Sequence, residues 1–250
     1  MTELPLWKRC LDVEHQAESH YNDYVATPLF ALVDGVPSRV LELGCAGGAF
    51  GAELVRRFPG ASVVGIEANR AAARRAESRL QRVICARLES LDFAQAGLSP
   101  GQFDTVVACD VLEHLVNPWE LLARLRPFLA PRAQVLASIP NVRNMAVVSP
   151  LVLEGRFDYA ERGLLDITHL RFFTLRGIAR LFEDTGYALE QHRAVIHPEL
   201  ESVYRSYQGR GPAVLKMGRM TLAQVSKEEI TELCAAQFIA RARATGDSPS

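Results

Sequence analysis

The sequence has no excess of charge of either sign. Its 250 residues include 28 Lys and Arg and 29 Asp and Glu, which leaves a formal net charge of −1. A chain with so small a net charge does not attract the phosphate backbone of nucleic acids or an anionic membrane surface over a long range. We therefore expect no nucleic-acid partner.

Paired cysteines and long apolar runs are also missing. The five cysteines are odd in number and none is spaced as Cys-x-x-Cys, which argues against a disulfide framework or a structural zinc site. No uncharged apolar stretch approaches the roughly 20 residues that cross a bilayer, and residues 1–8 lack the apolar core of a signal peptide. We therefore expect a cytoplasmic protein without stable membrane insertion.

The most informative stretch is an apolar run that breaks directly into small residues. Residues 40–43 suit a buried parallel strand, and residues 44–51 contain four glycines before a helical pattern begins. Glycine lets the backbone approach a ligand closely, and a following helix turns free N–H groups toward it. The pattern predicts a nucleotide pocket. Ala46 occupies the second glycine position of the dinucleotide fingerprint, so a pyrophosphate is not its natural ligand.

Strands and helices alternate after this loop. The sequence predicts strands at 61–66, 83–86, 103–109 and 133–139, a helix capped by Asn69, and a helix from Pro118 to about Leu129. Strands that alternate with helices of this length predict an α/β fold with a parallel sheet between two helical layers.

The C-terminal half continues the alternation and then departs from it. Thr174 begins a helix that Gly186 closes, residues 187–196 suit a sixth strand, and residues 236–240 suit a last strand. We expect residues 1–36 to form an N-terminal helical lid, broken near Pro28, over a domain that spans residues 37–244. Residues 197–225 would be an insertion between the last two strands, and residues 245–250 a disordered tail.

Two motifs identify a family resemblance. Glu42, Gly44, Ala46 and Gly48 resemble the first motif of class I S-adenosylmethionine-dependent methyltransferases, with Ala46 as a mild departure, and residues 110–114 resemble the motif after strand four. The resemblance covers about residues 40–196 and is closest to ubiquinone-type and sugar or natural-product enzymes. It implies a doubly wound, mostly parallel seven-stranded sheet with an antiparallel last strand, S-adenosylmethionine as cofactor and S-adenosylhomocysteine as product.

The resemblance also implies cofactor contacts. A carboxylate at Glu67, followed by Ala68, can accept both ribose hydroxyls, unless it is only a solvated charge at a strand end. Relatives often carry an aspartate where this chain has Arg87, so the adenine contact would pass to Leu88 or Glu89. By the same resemblance, Cys109 and Asp110 would lie along the methionine part of the cofactor, with Leu112 packed nearby.

Methyl transfer to a hydroxyl needs a general base, because the acceptor must lose its proton during attack. His169 is the first candidate, with Asp166 able to orient it, and His114 is the second. The alternative for His169 is a bond to the backbone that fixes its loop. No ligand spacing favours a metal site, although a magnesium site of the catechol type is not excluded.

Three polar residues after strand five are candidate substrate ligands. Asn141, Arg143 and Arg171 could bind acceptor oxygens or could equally tie loops together. Residues 204–212 mix aromatic and basic side chains, so this loop could close on an anionic acceptor or on another subunit in a homodimer, or could be an ordinary surface loop.

The sequence favours a methyltransferase that acts on a hydroxyl of a small polar metabolite, such as a sugar or a natural-product intermediate. Three alternatives stay open. The acceptor could be an amino nitrogen, the protein could bind S-adenosylmethionine without catalysis, or it could be a nicotinamide-dependent oxidoreductase, since such enzymes also place an acid where Glu67 stands.

Overall fold

The computed structural model describes Leu6, Cys10, Leu11 and residues 24–207 and 212–246. Nine strands are defined in this part of the chain: β1 (Arg39–Leu43), β2 (Ser62–Glu67), β3 (Arg82–Cys85), β4 (Phe103–Cys109), β5 (Leu129–Pro140), β6 (Tyr187–Ile196), β7 (Ala213–Met217), β8 (Met220–Val225) and β9 (Ala235–Ala244). The α-helices are α1 (Ala49–Arg57), α2 (Arg70–Ala76), α3 (Pro118–Leu125), α4 (Met145–Glu154), α5 (Leu175–Asp184), α6 (Glu201–Ser206) and α7 (Lys227–Cys234).

Seven of the strands form one sheet in the order β3-β2-β1-β4-β5-β9-β6. β1 to β5 pair in parallel, whereas β9 runs antiparallel to both β5 and β6. The predicted doubly wound sheet with an antiparallel last strand is therefore confirmed. The chain order reverses between β1 and β4, and in open α/β sheets such a switch point opens a crevice beyond the carboxyl ends of the strands.

Apolar side chains cover both faces of the sheet. Leu121, Leu122 and Leu125 of α3 and Leu181 of α5 pack on one face, while Leu54 of α1 packs on the other. All five side chains are fully buried, and each such burial stabilises the fold by about 1.5–3 kcal/mol. This packing holds the strand ends that carry the candidate site.

The helices begin where side-chain caps satisfy their first N–H groups. Asn69 accepts from Ala72, Asn117 from Glu120 and Thr174 from Gly177. α3 ends at Leu125, four residues before the predicted end, because Pro127 has no N–H to donate to the carbonyl one turn back. A 3₁₀ turn then leads directly into β5, which begins earlier than predicted.

The segment between β6 and α7 forms a small subdomain of its own. It contains a 3₁₀ turn, α6 and the β7–β8 hairpin, and residues 208–211 lie outside the described part. The apolar side chains of the hairpin, such as Leu215 and Met217, pack with Met145 of α4 and Ile230 of α7. The sequence predicted an insertion here but not its hairpin.

Only part of the predicted N-terminal lid lies in the described residues. Thr27–Leu32 form a 3₁₀ helix with Pro28 in its first turn and with Leu29 and Leu32 buried against the sheet. The rest of the predicted helical segment, and residues 247–250 of the predicted disordered tail, lie outside the described residues. No helix of the described chain is both long and apolar enough to cross a membrane.

Candidate functional site

A cleft of about 950 Å³ lies at the carboxyl ends of β1, β2 and β4. The residues that line this cleft are Tyr24, Ala26, Glu42, Gly44, Cys45, Ala46, Gly47, Ala49, Phe50, Glu67, Cys109, Asp110, Val111, His114, Leu115, Arg162, Gly163, Asp166 and Thr168. The small residues of the loop after β1 form one side, and residues 162–168 form part of the opposite side.

The loop after β1 is shaped by backbone that only small residues adopt easily. Gly44, Ala46 and Gly48 have φ angles of +59°, +47° and +77°, in the left-handed region that favours glycine. A Cβ at Gly44 would lie 2.8 Å from Cγ2 of Val111. The loop therefore lies close against the segment after β4, and Gly48 forms the N-terminal cap of α1.

Glu67 joins this loop to the end of β2. Its Oε2 accepts the backbone N–H of Ala46 at 2.9 Å and its Oε1 accepts that of Asn69 at 2.6 Å. The side chain is buried, and burial raises its pKa even though the backbone donors lower it. A carboxylate has about four lone-pair positions, so acceptor capacity is left for a ligand in the cleft.

Glu42 lies under the same loop. Its Oε2 has no hydrogen-bond partner, and burial raises the pKa of this carboxyl to about 8. The neighbouring thiols of Cys45 and Cys109 also have pKa values raised by burial. Both cysteines are therefore protonated at neutral pH, which argues against a thiolate nucleophile in the cleft.

Asp110 is held in an unusual conformation just after β4. Its φ angle is +52°. The Oγ of Ser138 donates to its Oδ1 at 2.9 Å, and its own N–H donates to the Ser138 carbonyl at 3.1 Å. Burial raises the pKa of Asp110 to about 6. The bonds between the end of β4 and Ser138 of β5 thus fix the Asp110 carboxyl group in the cleft.

His114 is the imidazole that reaches the cleft. Its Nδ1 lies 3.2 Å from the carbonyl oxygen and 3.0 Å from Oγ1 of Thr168. Because a carbonyl oxygen only accepts, Nδ1 carries the proton, and the neutral ring has its lone pair on Nε2. The Thr168 hydroxyl donates to Oδ1 of Asp166 at 2.6 Å. Burial lowers the pKa of His114, which keeps the ring unprotonated at neutral pH.

His169, the first candidate from the sequence, is not among the cleft-lining residues. It is 7% exposed, and its Nδ1 faces the Leu164 carbonyl oxygen at 3.3 Å. The Asp166 carboxylate accepts from the N–H and the hydroxyl of Thr168, two residues along, and the orientation of His169 by Asp166 stays a prediction. The Thr168 hydroxyl therefore lies between the Asp166 carboxylate and Nδ1 of His114.

The three predicted substrate ligands hold loops together. The Asn141 side chain donates to the carbonyls of Glu232 and Ala235, and Arg143 pairs with Glu232 at 2.6 Å. Arg171 donates to the carbonyl of Val116. None of the three lines the cleft. Their contacts are those of the loop-tying alternative, and acceptor binding by these residues stays a prediction.

The predicted cofactor residues divide into two groups. Glu42, Gly44, Ala46, Glu67, Cys109 and Asp110 line the cleft, whereas Gly48, Ala68, Leu88, Glu89 and Leu112 do not. Leu88 and Leu112 are buried in the core, and Glu89 accepts the backbone N–H of Val116 at 2.8 Å. The adenine contact at Leu88 or Glu89 stays a prediction.

Sequence reasoning missed several lining residues, among them Tyr24, Arg162 and Thr168. Thr168 carried a signal, because it stands beside His169 in a segment that resembles known enzymes. Tyr24 precedes the 3₁₀ helix of the N-terminal segment, and burial together with Asp110 raises its pKa. Nothing in the local pattern shows that Tyr24 or Arg162 faces the cleft.

The residues of the cleft fit the predicted cofactor. Four carboxyl groups, those of Glu42, Glu67, Asp110 and Asp166, line it together with the guanidinium of Arg162. Glu42 keeps its proton at neutral pH, so the negative charge of this surface comes from the other carboxyl groups. Such a surface suits a ligand with positive charges and hydroxyl groups, as S-adenosylmethionine has in its sulfonium, amine and ribose.

Comparisons with known proteins agree with this geometry. Residues 13–192 match a family model described as a methyltransferase domain. The chain is 31% identical over 130 residues to the methyltransferase str3 of Strobilurus tenacellus, across 52% of this chain and 44% of that one. It is 31% identical to a trans-aconitate 2-methyltransferase of Deinococcus radiodurans, across 72% of this chain and 67% of that one. It is 26% identical to a ubiquinone biosynthesis O-methyltransferase of Cupriavidus pinatubonensis, across 69% of this chain and 70% of that one.

Solved structures share the fold. A SAM-dependent methyltransferase of Thermotoga maritima superposes with a TM-score of 0.58 at 13% identity, covering 96% of this chain and 99% of that one. The plantazolicin methyltransferase BpumL, solved with S-adenosylhomocysteine (SAH), superposes with a TM-score of 0.58 at 14% identity. The match covers 96% of this chain and 94% of that one. Since a family model matches most of the chain and the sheet topology agrees, this protein belongs to the methyltransferase-domain family, the class I S-adenosylmethionine-dependent methyltransferases.

Proposed function

We propose that this enzyme methylates an oxygen atom of a small polar metabolite, a hydroxyl group of a sugar or natural-product intermediate. The observation that carries the proposal is the His114–Thr168–Asp166 arrangement, which presents an unprotonated imidazole in the same cleft as Glu67 and Asp110. Relatives named as O-methyltransferases support an oxygen acceptor.

The residues on the β1–β2 side of the cleft would hold the cofactor. Glu67 accepts the ribose hydroxyls, the loop at Gly44 and Ala46 offers backbone groups, and Cys109 and Asp110 lie along the methionine part. Ala68, Leu88 and Glu89 are the candidates on the adenine side. When bound, S-adenosylmethionine supplies an electrophilic methyl group on a sulfonium, which the carboxyl groups of the cleft complement electrostatically.

The residues on the opposite side would prepare the acceptor. His114 takes the hydroxyl proton on Nε2, while the proton on Nδ1 stays bonded to the Thr168 carbonyl. The Asp166 carboxylate stabilises the resulting imidazolium through the Thr168 hydroxyl. A positioned base of this kind contributes about 10²–10⁴-fold to the rate. Arg162, an exposed residue that lines the cleft, is the candidate cation for oxygens of the acceptor.

Two measurements test this proposal in order. Titration calorimetry with S-adenosylmethionine and S-adenosylhomocysteine should show binding of both, and the absence of binding would refute the whole assignment. A mass-spectrometric screen for methyl transfer should then compare sugars, catechols and primary amines. We expect an O-methylated product.

A pair of variants then tests the base. With the hydroxyl acceptor found, His114→Gln should lower kcat by about 10²-fold or more with unchanged binding of S-adenosylhomocysteine. His192→Gln, at an exposed position of β6, is the matched control and should retain full turnover. A product methylated on nitrogen, at a rate that His114→Gln does not change, would replace the oxygen proposal by the amine alternative.

A further inference from the structure

Glu113 is a buried carboxyl group without a hydrogen-bond partner. Its side chain is 1% exposed, and neither Oε1 nor Oε2 has a partner. Its backbone is firmly placed, because its carbonyl accepts from the N–H groups of Leu170 and Arg171 at 2.8 and 3.0 Å. Leaving a buried polar group unsatisfied costs about 1–3 kcal/mol, and more for a charged one, so this carboxyl needs an explanation.

The imidazole of His169 lies beside this side chain. Oε1 of Glu113 and Nε2 of His169 lie 4.0 Å apart. Because Nδ1 of His169 faces the Leu164 carbonyl, Nδ1 carries the proton of the neutral ring, and Nε2 has a lone pair. Two lone-pair atoms face each other, so their contact is attractive only if one proton lies between them.

His169 in turn packs against the proposed base. The rings of His169 and His114 have centroids 4.8 Å apart and planes inclined by 69°, an edge-to-face arrangement. The orientation of the His169 ring therefore limits the orientations that His114 can adopt. Glu113 and His114 are adjacent in the chain, and the His169 ring lies beside both of them.

We propose that Glu113 is a positioning residue, a carboxylic acid that donates its proton to Nε2 of His169 and so holds the His169 ring against His114. The proposal rests on the proposed function in that His114 is the base it serves. This hydrogen bond requires the 4.0 Å separation of Oε1 and Nε2 to shorten to about 2.8 Å. No bond to the substrate and no net transfer of a proton is involved.

The charges around Glu113 favour this neutral pairing. Burial raises the pKa of Glu113 well above the ordinary value, and the negative charges of Asp110 and Asp166 raise it further. Burial also lowers the pKa of His169, although Asp166 opposes this. The neutral pair adds no net charge beside His114.

A metal ion is the rival explanation. One ligand atom each from Glu113, His114 and His169 lies within 4.8 Å of the others. Ligand bonds of about 2.1 Å would bring any two such atoms within about 4.2 Å. The proton-sharing proposal requires no ion, so activity that is lost with EDTA and restored by Zn²⁺ or Mg²⁺ would overturn it.

Two variants separate a donor from a space-filling side chain. Glu113→Gln keeps a donor toward His169 and should retain kcat within about threefold, whereas Glu113→Leu should lower kcat about tenfold or more, with the KM for S-adenosylmethionine unchanged in both. The acid limb of the pH profile of kcat should be the same in Glu113→Gln and in the wild type. Equal activity of the two variants, or an acid limb shifted by about one pH unit, which an ionised Glu113 would cause, would contradict the proposal.

Two spectroscopic readings of the whole protein do not depend on activity or on the folding of Glu113→Leu. The infrared difference between wild type and Glu113→Gln at pH 7 should contain the carbonyl stretch of a protonated carboxylic acid. Nitrogen NMR of labelled histidine should find His169 neutral with its proton on Nδ1. An ionised carboxylate or a doubly protonated His169 would refute the proposal, even if no methyl transfer were found.

Discussion

The backbone N–H of Ala46 donates to Oε2 of Glu67, 21 positions along the chain, at 2.9 Å. The other oxygen of Glu67 accepts the backbone N–H of Asn69, the N-terminal cap of α2. One carboxylate therefore connects the glycine-rich loop after β1 with the cap of the following helix. In the proposed complex the same carboxylate also accepts the ribose hydroxyls, so its removal should affect both loop and ligand.

Replacement of Glu67 by Ala should weaken binding of S-adenosylhomocysteine by about 10–100-fold. Each charge-assisted hydrogen bond lost contributes about 1.5–3 kcal/mol, and a factor of ten in affinity is about 1.4 kcal/mol. Titration calorimetry checks this. Glu77→Ala, at the exposed C-terminal cap of α2, should bind like the wild type, and equal binding by both variants would remove Glu67 from the site.

Replacement of Gly44 by Ala should destabilise the fold by about 2–4 kcal/mol. The left-handed conformation costs an L-residue about 1–2 kcal/mol, and the contact with Val111 adds overpacking. Urea unfolding measures the difference. Gly60→Ala is the matched control, since nothing lies within 4 Å of a Cβ there. If Gly60→Ala lowered the free energy of unfolding as much as Gly44→Ala, this account of the loop would be contradicted.

Replacement of Thr168 by Val should lower kcat about tenfold without changing the KM for S-adenosylmethionine. The variant keeps the shape of the side chain but removes the hydroxyl that joins Asp166 to His114, which weakens the stabilisation of the imidazolium. Steady-state kinetics with the hydroxyl acceptor provides the test. Thr231→Val, whose hydroxyl bonds only within α7, should behave like the wild type, and full activity of Thr168→Val would separate Asp166 from the base.

The ligand-free protein should lose stability as pH rises from about 5 to 8. Folded Glu42 keeps its proton up to a pKa of about 8, whereas the unfolded chain releases it near the ordinary value of 4.5. The folded state therefore binds more protons in this window, and its free energy of unfolding falls as pH increases.

Glu42→Gln isolates this contribution. The variant cannot titrate at this position, so its free energy of unfolding should fall less than that of the wild type between pH 5.5 and 8.5. Urea unfolding at the two pH values gives both differences. Parallel pH dependence of the two proteins would show that Glu42 has an ordinary pKa.

Local patterns predicted the frame of the site well. The apolar run before Gly44 and the acid at Glu67 are local signals, and the strands that carry them pair as expected. The pattern also predicted the strands at residues 187–196 and 236–240, whereas their antiparallel pairing beside β5 followed from the family resemblance. These features depend on periodicity and on turn residues, which operate over a few neighbouring positions.

Local patterns predicted the acceptor side less well. Arg143 stands in a segment whose pattern suits substrate contact, yet its guanidinium donates to the carboxylate of Glu232, 89 positions away. Likewise, the bond between His114 and Thr168 spans 54 positions. No local pattern distinguishes these pairings from others that the same residue types could make.

The order of residues alone was enough to establish the parallel sheet, the glycine-rich loop and the acid at the end of β2, because burial and backbone preference act through near neighbours. Only the tertiary structure decided that His114 faces the cleft and that His169 lies behind it beside Glu113. The reason is geometric: the direction of an imidazole is set by the carbonyl that holds its N–H, and that carbonyl belongs to a loop placed by the packing of the whole fold.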